Sequence, residues 1–414
     1  MHLLRTSIRP YAWGSRTVIA ELQGRPSPAE GPEAELWVGA HPSAPSRLPA
    51  PDASAAEVAL DEAIRADPAG LLGAPVVARF GARLPYLLKF LAAERPLSLQ
   101  VHPDPAQAAA GYAAEEAAGI PLGAPQRNYP DASHKPELLV AVTEFEALCG
   151  FRPSAEAAQV LGAFNVPQLR PVVDALAGPG DEASALRTAV HLLMDWPVAE
   201  RAGLVSAVAG AAAGAAAGAV AGGRASWGDR PAGGRVAAAF GLAARLAEGY
   251  PADVGVIVAL LLNHVRLRPG EAVWMPAGNL HAYVRGAGIE VMAASDNVLR
   301  GGLTAKHVDV PELLRVLRFE ALRDPIMRPV KVDDQVTTWS TPAEEFRLFS
   351  AEVAGRVTLP DDGPRSIICT RGRVTLTARD ERLDLLAGQA AFVPAGLPAV
   401  AATGTATLFQ AGTP

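Results

Sequence analysis

The run Leu97-Ser-Leu-Gln100-Val-His102-Pro-Asp104 holds the first group of side chains able to do chemistry. Side chains of a strand alternate between its two faces. Leu97, Leu99 and Val101 therefore share one face, and Ser98, Gln100 and His102 share the other. That polar face needs partners if it lines an interior; as a solvent-facing edge it needs none. His134-Lys135-Pro-Glu137 is followed by five apolar or small residues, 138–142. Pro136 cannot donate to a ladder, so a strand starts near it with Glu137 at the entrance. Alone, Glu137 reads first as a surface carboxylate before a buried strand. His281 heads an expected strand over 280–284, with Tyr283 on the same face, and a lone histidine is commonly structural. Together Gln100, His102, Glu137 and His281 offer two imidazoles, a carboxylate and an amide oxygen. Imidazole with carboxylate suits zinc, and iron and manganese stay open on ligand type alone. A neutral amide ligand would leave more positive charge on the metal and strengthen its pull on a bound oxygen.

A third group lies in Glu290-Val-Met-Ala-Ala-Ser-Asp296-Asn-Val-Leu-Arg300-Gly-Gly-Leu-Thr-Ala-Lys306. Arg300 precedes two glycines, which would let the backbone approach a ligand closely. Arg300 and Lys306 suit a phosphate, the first by its fork and the second as a point charge. The competing reading pairs Arg300 with Asp296 in a surface loop.

The elements that must position these groups follow from composition and pattern. The chain has 414 residues, which suggests two to three domains, and its 50% hydrophobic and 19% charged content excludes a disordered chain. Lys plus Arg is 37 against 43 acidic residues, so a net charge of −6 argues against nucleic-acid binding. A small anion needs only a few local cations and stays allowed. Two cysteines, Cys149 and Cys369, cannot build a thiolate zinc site or a disulfide framework. Residues 1–16 hold no apolar segment of the secretory kind, giving the expectation of a cytoplasmic protein. Short strands are expected at 35–39 and 97–101, with helices near 53–65 and 85–92. Residues 153–248 read as a helical insert. Within it, 202–223 is expected to be an Ala/Gly connector rather than a membrane span, with 227–230 irregular as well. Residues 254–263 read as a buried helix. Strands return after 265 and continue to the end, interrupted by a helix near 310–319.

The second β region repeats itself. Gly270-Glu-Ala-Val-Trp-Met-Pro276-Ala-Gly278-Asn-Leu-His281 has the form G-x5-P-x-G-x2-H. Gly388-Gln-Ala-Ala-Phe-Val-Pro394-Ala-Gly396-Leu-Pro-Ala399 has the same form with Ala in place of His. Each describes a strand, a tight turn and a return strand, and two copies suggest two related β-domains. The first could bind metal; the second lacks the histidine. The pattern resembles the second motif of cupins, small jelly-roll barrels.

With all three groups in view, the chain resembles the type I mannose-6-phosphate isomerases (phosphomannose isomerases). The resemblance rests on S-L-Q-V-H-P-D, on H-K-P-E, and on the stretch from G-N-L-H to S-D-N-V-L-R-G-G-L-T-A-K. Tyr11-Ala-Trp-Gly14, Glu33-Ala-Glu-Leu-Trp-Val-Gly-Ala-His-Pro42 and Pro85-Tyr-Leu-Leu-Lys-Phe90 add to it. It implies a mainly β fold with a helical insert: two cupin-like jelly-roll β-barrels plus an α-helical domain. The implied divisions are 1–151 and 265–320 for a catalytic barrel, 152–264 for the insert and 321–414 for a degenerate C-terminal β-domain. It implies one zinc per chain on Gln100, His102, Glu137 and His281. Arg300 would be catalytic, with Lys135, His134 and Asp296 in ring opening or proton transfer. Ser98, Tyr283, Glu290 and Lys306 would contact substrate. The implied reaction interconverts D-mannose 6-phosphate and D-fructose 6-phosphate through a cis-enediol(ate), in a monomer with no nucleic-acid or membrane partner. On ligands alone, a ferrous cupin oxygenase and a non-catalytic sugar-binding cupin are the rivals.

Overall fold

The computed structural model describes residues 1–49, 56–219, 232–361 and 363–414. Two antiparallel sheets, of eleven and eight strands, dominate the described residues, and neither hydrogen-bonded path closes on itself among them. Helices between Ser154–Gly162 and Ala232–Gly249 pack on one side of the larger sheet. The organising element is the 13-residue strand His281–Ala293. Its first residues pair with Phe145–Phe151 and, at His281, with Gln100. Its second half pairs with Tyr86–Ala93 and Glu137–Ala141. The change of partners falls at a bulge after Tyr283, beside Gly286. Gly286 has φ +125, and a Cβ there would sit 2.6 Å from the Glu144 carbonyl oxygen, so only glycine fits this bend.

Strand alternation sorts the larger sheet into two interiors. Leu88, Phe90, Leu138, Val140, Ile289 and Val291 point outward and pack against Phe346, Leu348, Ile368, Phe392 and Phe409 of the second sheet's side. Their neighbours Lys89, Glu137 and Glu290 point the other way, so the charged residues share one buried face. The first strand, His2–Leu4, pairs with Ala390–Val393 and thus belongs to the second sheet.

Three expectations change. Residues 85–92 are not helical: Tyr86–Ala93 is a strand, all eight residues buried. A continuous apolar run buried on both faces carries no strand period, so only its length and its position between two sheets decide. Of the expected connector 202–223, residues 220–223 lie outside the described residues and the rest belongs to a helix, Val198–Ala219, with Leu204, Val205, Val208 and Ala212 buried along one stripe. That spacing is helical, and alanine is the best helix former, so even small side chains close the packing. The expected irregular stretch at 227–230 and part of the expected helix at 53–65 lie outside the described residues, and Leu60–Ala66 is helical. Residues 254–263 are one helical turn, Gly255–Val258, and a 3₁₀ turn, Ala259–Leu261, before the strand Leu262–Leu267. No helix among the described residues is long and apolar enough to cross a membrane.

Candidate metal centre and substrate cavity

The strand Leu99–Val101 lies between two partners. Gln100 is in register with His281 on one side and Arg300 on the other. The expected alternation holds within the strand, where Leu99 and Val101 are fully buried in the apolar core, but not before it: Leu97 precedes the strand and lines the same cavities as Gln100. The chain leaves the strand at His102 and enters the helix Pro105–Ala117 through a capping box, in which Asp104 accepts from the Gln107 amide at 2.8 Å. Glu137 opens its strand as expected and lies between Met275 and Met292 in the registers on either side. The turn at Gly278, φ +79, donates its N–H to the His102 carbonyl at 2.8 Å, which ties the two histidine-bearing segments together.

His102, Glu137 and His281 each offer a ligand atom, all within 4.8 Å of one another and all buried. His102 Nδ1 donates to the Asn297 carbonyl at 2.8 Å, and His281 Nδ1 to the Asn279 carbonyl at 3.0 Å. Each hydrogen bond fixes the tautomer that turns a bare Nε2 into the site, the arrangement a metal-binding imidazole requires. His102 Nε2 is buried with no hydrogen-bond partner, although it lies 3.2 Å from Glu137 Oε1. A buried, orphaned lone pair aimed at a carboxylate fits a cation placed between them. Burial pushes His102 below its ordinary pKa. Burial also works to raise Glu137, but Lys135 and then His102 and His281 outweigh it and hold the carboxyl well below its usual range. Both shifts favour the ligand forms, neutral imidazole and carboxylate. Cys149 lies nearby, and burial pushes its thiol up to about 12, so it is no thiolate ligand at neutral pH.

Two cavities that share Gln100 and Lys135 among their lining residues adjoin this cluster. The smaller, about 70 Å³, touches Gln100, Glu137, His281, Tyr283 and Glu290. The larger, about 570 Å³, is lined by Ser98, Gln100, Lys135, Asp296, Arg300 and Lys306. Lys135 borders both, with Nζ 3.1 Å from Glu137 Oε1. Arg300 is half-buried, Lys306 is exposed, and no carboxylate pairs with either among the described residues. Burial and the neighbouring Arg300 both push Lys306 below its ordinary pKa, the mark of two cations sharing one end of a cavity. Asp296 does not meet Arg300; it faces His41 Nε2 at 3.5 Å. Gly301 and Gly302 serve packing rather than a ligand. A Cβ on Gly302 would lie 2.7 Å from the Gly255 Cα.

Two expected substrate contacts belong to a buried network behind the cluster. Tyr283 donates to Glu290 at 2.8 Å, and Glu290 accepts from Lys89 at 2.9 Å. Lys89 also lies 3.6 Å from Glu35, which accepts from Trp37 Nε1 at 2.7 Å. Burial disfavours the Lys89 ammonium, but Glu290 and then Glu35 outweigh it and raise its pKa. The sequence reading missed Lys89, Glu35 and Trp37 as site residues. Their signal was a lysine in the middle of an apolar run, which is almost never buried without a partner. His134 is not brought into the cavity: its Nε2–H donates to Glu345 at 2.7 Å, beside a different hollow.

With this geometry established, a family model for the catalytic domain of type I phosphomannose isomerase matches residues 1–154. The mannose-6-phosphate isomerase of Escherichia coli (strain K12) is 36% identical over 406 residues, covering 95% of each chain. That of Saccharomyces cerevisiae is 32% identical over 431 residues, covering 95% of this chain and 94% of its own. The crystal structure of mannose 6-phosphate isomerase from Salmonella typhimurium bound to substrate (f6p) and zinc superposes with a TM-score of 0.83. It is 34% identical, covering 100% of this chain and 99% of that one.

Proposed function

The chain belongs to the type I phosphomannose isomerase family, and on that premise we propose that it interconverts D-mannose 6-phosphate and D-fructose 6-phosphate with one zinc per chain. The observation that carries this reading is a buried two-histidine, one-carboxylate cluster beside a cavity that holds two unneutralised cations, with Gln100 and Lys135 lining both that cavity and the smaller one at the cluster. A ferrous oxygenase would share the first feature and has no use for the second.

Gln100, His102, Glu137 and His281 would hold the zinc. When bound, it supplies Lewis-acid stabilisation for the carbonyl oxygen of the open sugar, where charge develops in an enediolate-forming transition state. Lys306 at the rim takes the phosphate as a point charge. Arg300, deeper in the cavity and beside Gln100, stabilises the oxygens that gain charge. Lys135 is the group we assign to moving the proton between C1 and C2, because it borders both cavities. Asp296 and Ser98, which line the cavity, serve as substrate contacts. Tyr283 and Glu290 shape the site from behind through Lys89.

The finer architecture is part of the same proposal. Each sheet is a cupin-like unit, with divisions near 1–151, 152–264, 265–320 and 321–414. The repeated strand–turn–strand segment supports this. A cytoplasmic monomer belongs to the same proposal. The test is turnover of mannose 6-phosphate by the zinc-loaded chain in D₂O. Formation of fructose 6-phosphate with solvent deuterium at the transferred position supports the enediol(ate) route. No product overturns the function, and product with no label in either sugar overturns the route.

A further inference from the structure

Lys135 sits in a stretch, 130–136, that forms no helix or strand, so side chains must set its position. One side is clasped to the segment after His281–Ala293. Asp131 accepts from Ser295 Oγ at 2.9 Å and from the Asp296 amide at 2.8 Å. Asn297 Nδ2 donates to the carbonyls of Asp131 and Ser133, both at 2.7 Å. The other side is held from the part of the chain that leads into the second sheet. Glu345 Oε1 accepts from His134 Nε2 at 2.7 Å, and its other oxygen is buried without a partner. The next residue, Phe346, is fully buried and packs on Trp274 with ring centroids 6.2 Å apart. Trp274 lies in register with Leu138, the neighbour of Glu137. Glu345 is therefore anchored beside the strand that carries Glu137, through the strand paired with it. Neighbouring side chains of an extended segment point to opposite sides. Drawing His134 outward thus turns Lys135 inward, to 3.1 Å from Glu137.

We propose that Glu345 is a positioning residue: through His134 it holds Lys135 in the cavity, so the segment leading into the second sheet braces the chemistry of the first. The proposal rests on the isomerase reading above and goes beyond it.

The test compares Glu345→Ala, Glu345→Gln, His134→Ala and the Glu345→Ala/His134→Ala double variant as zinc-loaded full chains. Steady-state kinetics on mannose 6-phosphate are measured beside zinc content and amide hydrogen exchange over 130–136. Glu345→Ala should lower kcat about tenfold, the scale on which outer-shell partners act, with KM within about twofold. It should keep its zinc and speed exchange over 130–136. Glu345→Gln should recover most of kcat, because an amide oxygen accepts the same N–H. The double variant should be no worse than the worse single variant. Unchanged kcat and exchange in Glu345→Ala, failure of Gln to rescue, or additive losses would each overturn the proposal. Exchange is read without turnover, so an inactive wild-type chain refutes the isomerase reading separately from the brace.

Discussion

The two copies of the strand–turn–strand segment share a backbone design and differ in what their interiors hold. Both begin at a glycine in the left-handed region, Gly270 at φ +88 and Gly388 at φ +79, and both continue into a short buried strand, Ala272–Met275 and Ala390–Val393. In the first copy the turn at Gly278 bonds to the carbonyl of His102 and leads into His281. In the second the turn is held by the buried Arg365, which donates to the Leu397 carbonyl at 2.6 Å, and the chain reaches Ala399. The first sheet buries Glu35, Glu137, Glu146 and Glu290; the second sheet buries no carboxylate among the described residues. Its interior is Ile367, Val374, Leu376, Leu385 and Leu408. One histidine does not make the centre. It needs facing strands that supply the other ligands, and carbonyls such as those of Asn279 and Asn297 that fix the imidazoles.

The largest expected effect is at His281. His281→Ala should lose metal and turnover together, by about 10³-fold or more in kcat, since a ligand costs more than the 10–100-fold typical of its supporting shell. Elemental analysis beside the assay checks it, and an active variant with full zinc would erase the contrast between the copies.

Next comes Arg300. Arg300→Ala should lower kcat by about 10²–10³-fold, the loss expected for one oxyanion donor, with little change in KM. Lys306→Ala should raise KM and spare kcat. Zinc is measured in each variant. Full kcat in a zinc-replete Arg300→Ala chain would remove Arg300 from the chemistry.

Acid sensitivity should also separate the sheets. Burial works to raise Glu146, but His264 and then Arg245 outweigh it and bring its pKa down to about 2. A depressed pKa in the folded state stabilises above the unfolded value, ~4.3, and that stability is lost as pH falls through the folded value. The ceiling is about 3 kcal/mol. Burial keeps His264 below its own ordinary pKa, so near neutrality it contributes a ring N–H rather than a full charge, and the gain falls under that ceiling. Glu146→Gln should therefore melt below the wild type at pH 6, and the gap should close between pH 5 and 2. A gap that stays constant across that range would contradict the assignment.

The smallest effect is at the second copy. Ala399→His should gain no metal, because the second sheet buries no carboxylate and no imidazole among the described residues, and the nearby Asp361 is paired with Arg365. Tight zinc binding there would show that the missing histidine alone had silenced the site.

Much of the centre was legible because it is written in short-range pattern. Alternation put Gln100 and His102 on one face, and Pro136 marked where the strand of Glu137 begins. What was hidden depends on long-range placement. The run 85–92 lacks a period because both its faces are buried, so its strand and the inward Lys89 were lost together. The 198–219 helix was obscured by small side chains whose packing needs a partner to become visible. His134 could not be directed outward without Glu345, 211 residues away. The carbonyls that orient the imidazoles are main-chain groups and leave no trace in residue type.

The central claim is one metal centre, in the first sheet, on which turnover depends. Zinc per chain should be titrated into the chelated, full-length protein while fructose 6-phosphate formation from mannose 6-phosphate is followed. The account predicts activity rising in proportion to zinc and reaching its plateau at one equivalent. A plateau at two equivalents, or full turnover in the chelated chain, would contradict it.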